Sequence, residues 1–128
     1  MIFLPVTILY GTLSVLVTLS LALNISLRRL WFGVFVGQAV PDNLHRAVRA
    51  HGNSAEWLAA TTFLLAFLEL QHAPPYWLHV LGGGTLAARV AHSAFMLAKK
   101  RWTVWSATVM YTLAFAMAFW ALGLRLRG

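Results

Sequence analysis

The chain has 128 residues, 60% of them apolar and only 10% charged, against about 25% charged in an ordinary soluble domain. So few charged side chains cannot cover that much apolar surface in water, which excludes a disordered chain and a typical soluble enzyme. The absence of cysteine excludes a disulfide framework, a thiolate metal site and a cysteine nucleophile. The net charge of +7 sits in short clusters between apolar runs: Arg28-Arg29, Arg46 and Arg49, Lys99-Lys100-Arg101, and Arg125 with Arg127. That is how membrane proteins place cationic loops, and it argues against a nucleic-acid partner.

Residues 2–27 carry no charge and are long enough to cross ~30 Å of hydrocarbon, so a first helix is predicted there. No basic residue precedes the run and Arg28-Arg29 follow it, the pattern of a retained span rather than a cleaved signal peptide. The stretch Leu30 to Asn43 holds Gly33, Gly37, Pro41 and Asp42, which are turn and cap signals. It also holds Trp31, Phe32 and Phe35, so it is expected to lie in the membrane interface. A second helix is predicted over 44–71, polar in its first half and apolar, without a charge, from Trp57 to Leu68. His72-Ala-Pro-Pro75 reads as a tight turn, followed by helices over 76–98 and 103–124. The expected fold class is all-α: one integral-membrane four-helix bundle spanning residues 1–128, with no repeat and no second domain.

The segments 28–49 and 99–101 carry seven basic residues, whereas the connection after helix two has Glu69 and no lysine or arginine. The positive-inside rule then places loops 28–45 and 99–102 in the cytoplasm and both termini outside; Arg125 and Arg127 oppose this but are outnumbered. Tyr76, Trp77 and Trp120 fall near the outer interface and Trp31, Trp102 and Trp105 near the inner one.

Several polar residues lie inside the predicted spans. Arg46, Arg49, Asn53 and Glu56 step by three, four and three, and so form one stripe on helix two. Arg89, His92, Met96 and Lys99 do the same on helix three. At 1.5 Å per residue both stripes occupy the cytoplasmic half, with Glu56 and His92 ~10 Å deep and Arg89 ~15 Å deep. Charges there cost about 2.5–3.5 kcal/mol each, so Glu56 is expected to pair with Arg89. Such a pair alone would be a device for fixing helix register. One acid against three arginines leaves net positive charge, suited to an anionic ligand whose carboxylates are gripped by arginine forks.

Other features read as packing. Gly82-Gly83-Gly84 with Ala87, Ala88 and Ala91, and Thr7, Gly11, Ser14 and Thr18, form small-residue faces for close helix contact. His45, His51, His72, His79 and His92 lack the spacing of a metal site, and none is expected. His45 and His51 are expected at the interface and His79 in a packed position.

The run Arg49-Ala-His-Gly-Asn53-Ser-Ala-Glu56 ahead of an apolar helix resembles the MAPEG family, the membrane-associated proteins of eicosanoid and glutathione metabolism. So does Ala88-Arg89-Val-Ala-His92-Ser93, followed by Lys99. The resemblance extends over nearly the whole chain. It implies a homotrimer in a membrane, in bacteria the inner one, with glutathione as co-substrate between adjacent subunits on the cytoplasmic side. It also implies transferase or peroxidase chemistry, in which the activated thiol attacks a lipophilic electrophile or peroxide arriving from the bilayer along helices one and four. By the same resemblance Arg49, Asn53 and Glu56 contact glutathione, and Arg89 and His92 line or support the site; Arg46, on the same stripe of helix two, is counted with the binding residues.

The chain departs from the family pattern where many catalytic relatives carry an arginine early in helix four; here Trp105-Ser106 stand. Phe95 and Met96 occupy the region of a tyrosine that often follows the third-helix histidine. A thiol with an ordinary pKa near 8.5 needs a cation or a donor to ionise. That leaves Arg49 by charge, and Ser106 or Tyr111 by hydrogen bond, as the catalytic candidates. The alternative is a non-catalytic member of the same fold that binds membrane lipid or an anion. A small four-span exporter fits less well, because helix one carries no embedded acid.

Overall fold

In a computed structural model, residues 3–35 and 38–127 are described; the turn signal at Gly37 and the first residue of the predicted helix one, Ile2, lie outside them. Four helices follow in order: α1 Pro5–Phe32, α2 Asp42–Leu70, α3 Pro75–Leu97 and α4 Thr103–Arg127. Helices two, three and four match the sequence reading to within a few residues. Helix one runs five residues further than expected, through Arg28 and Arg29 to Phe32. The charged pair does not stop it because arginine is a good helix former; it stops where Gly33 adopts φ 62°, a left-handed conformation that costs glycine little.

The same closure ends α2 and α3, with His72 at φ 57° and Lys99 at φ 54° in the left-handed position. In each case the next amide reaches back five residues: Val34 N–H to the Arg29 carbonyl, Ala73 N–H to Leu68 and Lys100 N–H to Phe95. Pro75 then opens α3 at a position where no amide proton is needed.

α2 and α3 pack on each other and each also packs on α1 and α4, whereas α1 and α4 make no contact with one another among the described residues. In cross-section α2–α3 is therefore the short diagonal, and α1 and α4 occupy opposite corners. The up-down order collects Arg28, Arg29, Arg46, Arg49, Lys99, Lys100 and Arg101 at one end, hereafter the basic end. Trp77 and Trp120 meet edge to face at the other end, with ring centroids 6.5 Å apart. α1 and α4 have mean hydropathies of 2.0 and 1.7 and are long and apolar enough to cross a membrane. α2 is the least apolar of the four, because it carries Asp42, Arg46, Arg49, Glu56 and Glu69.

The interior is divided along its length. Toward the end away from the basic cluster it is apolar, built from Val6, Leu65, Leu68, Leu78, Leu81 and Met117. Toward the basic end it is polar: Thr18, Ser54, Arg89, His92, Ser93 and Ser106 are all buried. Glu69, in the last turn of α2, caps α1 from outside that helix. Its two carboxylate oxygens accept the Val6 and Thr7 amides at 3.0 and 2.8 Å, placing negative charge on the positive end of α1.

The small-residue faces do pack closely. Thr7, Ser14 and Thr18 are buried on α1, and the Tyr10 ring lies flush against Gly82 of α3. A Cβ at Gly82 would overlap the base of that ring, which cannot swing aside as a long side chain would. At Gly84 a Cβ would meet only Leu113, at an ordinary 3.4 Å. Gly82→Ala is therefore expected to destabilise the bundle by about 1–3 kcal/mol, and Gly84→Ala to leave it near wild type. Thermal unfolding in detergent, followed by tryptophan fluorescence, distinguishes the two; equal losses would contradict this packing.

Candidate functional site

The second helix has two stripes that differ by one residue, or about 100° around the axis. Leu44, Ala47, Ala50, Ser54, Thr61, Leu65 and Leu68 face inward. Arg49, Asn53 and Glu56 lie on the neighbouring face, where Arg49 and Glu56 are exposed and Asn53 is half-buried. Glu56 stands at the midpoint of α2, about 21 Å from either end.

The expected pair between Glu56 and Arg89 is not formed. Arg89 is 1% exposed and points to the inward stripe. Its Nη1 donates to the Ser54 carbonyl at 2.6 Å, and its Nη2 reaches the Thr61 hydroxyl at 3.4 Å. Ser54 in turn meets Thr18 of α1 through their hydroxyls at 2.9 Å, so one buried polar chain ties α1, α2 and α3. The physical reason lies in the donor count. A guanidinium has five N–H donors and no acceptor, and here neutral oxygens take two of its nitrogens, while Nε has no partner among the described residues. Ala47 and Ala50 keep that side of α2 slim, and the glutamate sits a quarter turn away.

Arg46 is engaged at the basic end. It pairs with Asp42 one turn earlier and donates through Nε to the Leu97 carbonyl at 3.2 Å, at the C-terminus of α3. Asp42 also lies 3.7 Å from the Lys99 ammonium.

The remaining candidates converge. His92 of α3 is 5% exposed. Its Nδ1 stands 3.2 Å from the Thr103 carbonyl and 3.2 Å from the Ser106 hydroxyl, both on α4. Ser106 Oγ is itself 3.0 Å from the Thr103 carbonyl and 3.2 Å from that of Trp102. His92 Nε2 is buried and has no hydrogen-bond partner among the described residues. The ring lines a small cavity between α2 and α4, about 10 Å³ in volume, together with Asn53, Trp57, Met110 and Tyr111. That is room for one water-sized group. Tyr111 packs edge to face on Trp57, with ring centroids 4.9 Å apart, and its outer side is exposed.

The structure thus brings together Asn53, His92, Ser106 and Tyr111, with Arg49 and Glu56 on the adjoining surface. It sets Arg46 at the α2–α3 corner and Arg89 in the interior. Trp57, Ser54, Thr61 and Thr103 are the contributors that sequence reasoning missed. Trp57 was detectable, being one turn beyond Asn53 on the same face. Among the described residues no group of three or more histidine, aspartate or glutamate side chains is placed to hold a metal ion. His79, expected in a packed position, is exposed and meets the Tyr10 hydroxyl at 3.2 Å.

A profile of the MAPEG family matches residues 7–123, which takes in all of the site and nearly the whole bundle. The chain belongs to the MAPEG family. As a MAPEG protein it is a membrane protein of the group associated with glutathione and eicosanoid metabolism. It is also similar to the inner membrane protein YecN of Escherichia coli K12, and to YecN of the O6:H1 strain. Each is 30% identical over 87 residues, which is 68% of this chain and 66% of the relative. The similarity thus spans about two thirds of the length of the curated relatives.

Proposed function

We propose that this MAPEG chain is a glutathione-dependent membrane transferase or peroxidase acting on a lipophilic electrophile. One observation carries the reading: a polar stripe, Arg49–Asn53–Glu56, faces outward from a membrane helix beside a cavity floored by His92. An ionised carboxylate left against hydrocarbon at the middle of a span is costly, so something polar covers that face. Arg49 and Glu56 are seven residues apart, about 10.5 Å along the axis. An extended tripeptide is also ~10 Å long. Glutathione offers carboxylates for Arg49, an ammonium group for Glu56 and amides for Asn53, with its thiol between them.

The same face accounts for assembly. Within one chain α1 and α4 stand at opposite corners, so a substrate path flanked by both requires a second copy. A homotrimer with glutathione at its subunit boundaries meets both requirements. The basic end is assigned to the cytoplasmic side, where glutathione is supplied.

The test is calorimetric titration of detergent-purified protein with glutathione, followed by turnover with chlorodinitrobenzene and with a lipid hydroperoxide. Saturable binding with turnover on either is expected; no binding by the wild type overturns the reading. A second reading, a non-catalytic lipid binder, is favoured by an apolar groove of about 500 Å³ between α1 and α3, on the opposite side of the bundle. Its signature is binding of glutathione or lipid without turnover.

A further inference from the structure

We infer that His92 is the proton acceptor for the thiol of bound glutathione, acting through Nε2. The inference rests on the proposed glutathione site, and it assigns a role there to a side chain other than Arg49, Ser106 and Tyr111.

The assignment follows from which nitrogen holds the proton. A carbonyl oxygen only accepts, so the contact between His92 Nδ1 and the Thr103 carbonyl, at 3.2 Å, requires Nδ1 to carry hydrogen. A neutral imidazole has a single N–H, so Nε2 carries the lone pair. The Ser106 contact agrees. Its hydroxyl proton is directed to the Thr103 or Trp102 carbonyl, which leaves a lone pair on Oγ facing Nδ1–H. Ser106 is then a positioning residue, since its own proton is taken by the backbone and does not reach a ligand.

The lone pair on Nε2 has no partner among the described residues, although the ring is 5% exposed. A buried acceptor in that state favours a donor entering the cavity. The cavity takes one small group, which excludes a carboxylate by size, and an uncharged S–H enters a buried site at less cost than an ammonium. The ionisable groups nearest in sequence and packing are Arg89 one turn earlier on α3, Tyr111 of α4, and Arg49 and Glu56 on the adjoining face of α2.

In the step itself the S–H bond breaks, its electron pair stays on sulfur and the proton moves to Nε2. The imidazolium is held by the Nδ1–H bond to the Thr103 carbonyl. With chlorodinitrobenzene as the probe, sulfur bonds to the ring carbon and chloride leaves with the carbon–chlorine pair. The proton on Nε2 then passes to water, which restores the neutral ring.

The test compares wild type, His92→Asn and His92→Gln. The asparagine retains an N–H for the Thr103 carbonyl but has no base in the cavity. The glutamine places a carboxamide near the Nε2 position and serves if the asparagine variant does not fold. Glutathione affinity, ultraviolet absorbance of the bound thiolate and turnover are read on the same preparations. A loss of affinity of no more than about tenfold is expected, the worth of one hydrogen bond, with the thiolate signal lost and turnover at neutral pH down by about 10²–10⁴-fold. Turnover of the variants is also expected to recover as pH approaches ~8.5, where a free thiol ionises unaided. Retained thiolate signal and turnover in a folded variant overturn the inference. So does a loss confined to affinity, which would make His92 a ligand contact only. Failure of wild type to bind glutathione is read first and separately, and it removes the site on which the inference stands.

Discussion

Arg49→Ala is expected to weaken glutathione binding by about 10- to 100-fold while leaving the unfolding of the bundle unchanged. Arg49 is exposed on α2 and makes no side-chain hydrogen bond or ion pair among the described residues, so the fold does not depend on its guanidinium. A hydrogen bond to a charged group contributes about 1.5–3 kcal/mol, and each 1.4 kcal/mol is tenfold in affinity. Arg49→Lys should recover part of the loss, because it restores the charge but not the two-pronged grip on a carboxylate. Calorimetry supplies the affinity and a thermal melt in detergent supplies the stability. Unchanged affinity in Arg49→Ala would remove the outward stripe as the binding face, and a matching drop in melting temperature would make the residue structural instead.

Much of this architecture was legible because membrane constraints are strong. An uncharged run of the length of the bilayer has few alternatives to a helix, and the clusters of arginine and lysine mark the ends of the spans. The helix termini were less legible. The predicted helix one ends at the arginine pair although Gly33 marks its left-handed cap, whereas the predicted helices two and three end within a residue of the observed termini although His72 and Lys99 take that conformation without being glycine. The stripes were found and one was wrongly aimed. Spacing shows that Arg49, Asn53 and Glu56 share a face; it does not show which face turns inward. The inward stripe of α2 contains Ala47, Ala50, Ser54 and Thr61, residues too bland to be counted as a polar site. The Glu69 cap on α1 was invisible for a related reason. It joins residues more than sixty positions apart, and no local pattern reports such a contact.

Arg89 provides the sharpest test of that re-aimed stripe. If it paired with Glu56, neutralising either partner would cost a similar amount. With Arg89 on the Ser54 carbonyl and the Thr61 hydroxyl, the two residues are energetically separate. Arg89→Ala is expected to lower the unfolding free energy by about 2–5 kcal/mol, as a large buried side chain leaves a void. Arg89→Met fills most of that volume. It leaves no acceptor stranded, because Thr61 Oγ already donates to the Trp57 carbonyl at 2.8 Å and a helix carbonyl keeps its own amide. It also removes the cost of burying a charge, so it is expected to be neutral or mildly stabilising. Glu56→Gln, without glutathione present, should stay within about 0.5 kcal/mol of wild type. Unfolding of the three variants in detergent ranks them directly. Equal losses for Glu56→Gln and Arg89→Ala would restore the ion pair, and with it an inward-facing carboxylate. The expected ranking leaves Glu56 on the outer face of α2, available to a ligand or a neighbouring copy.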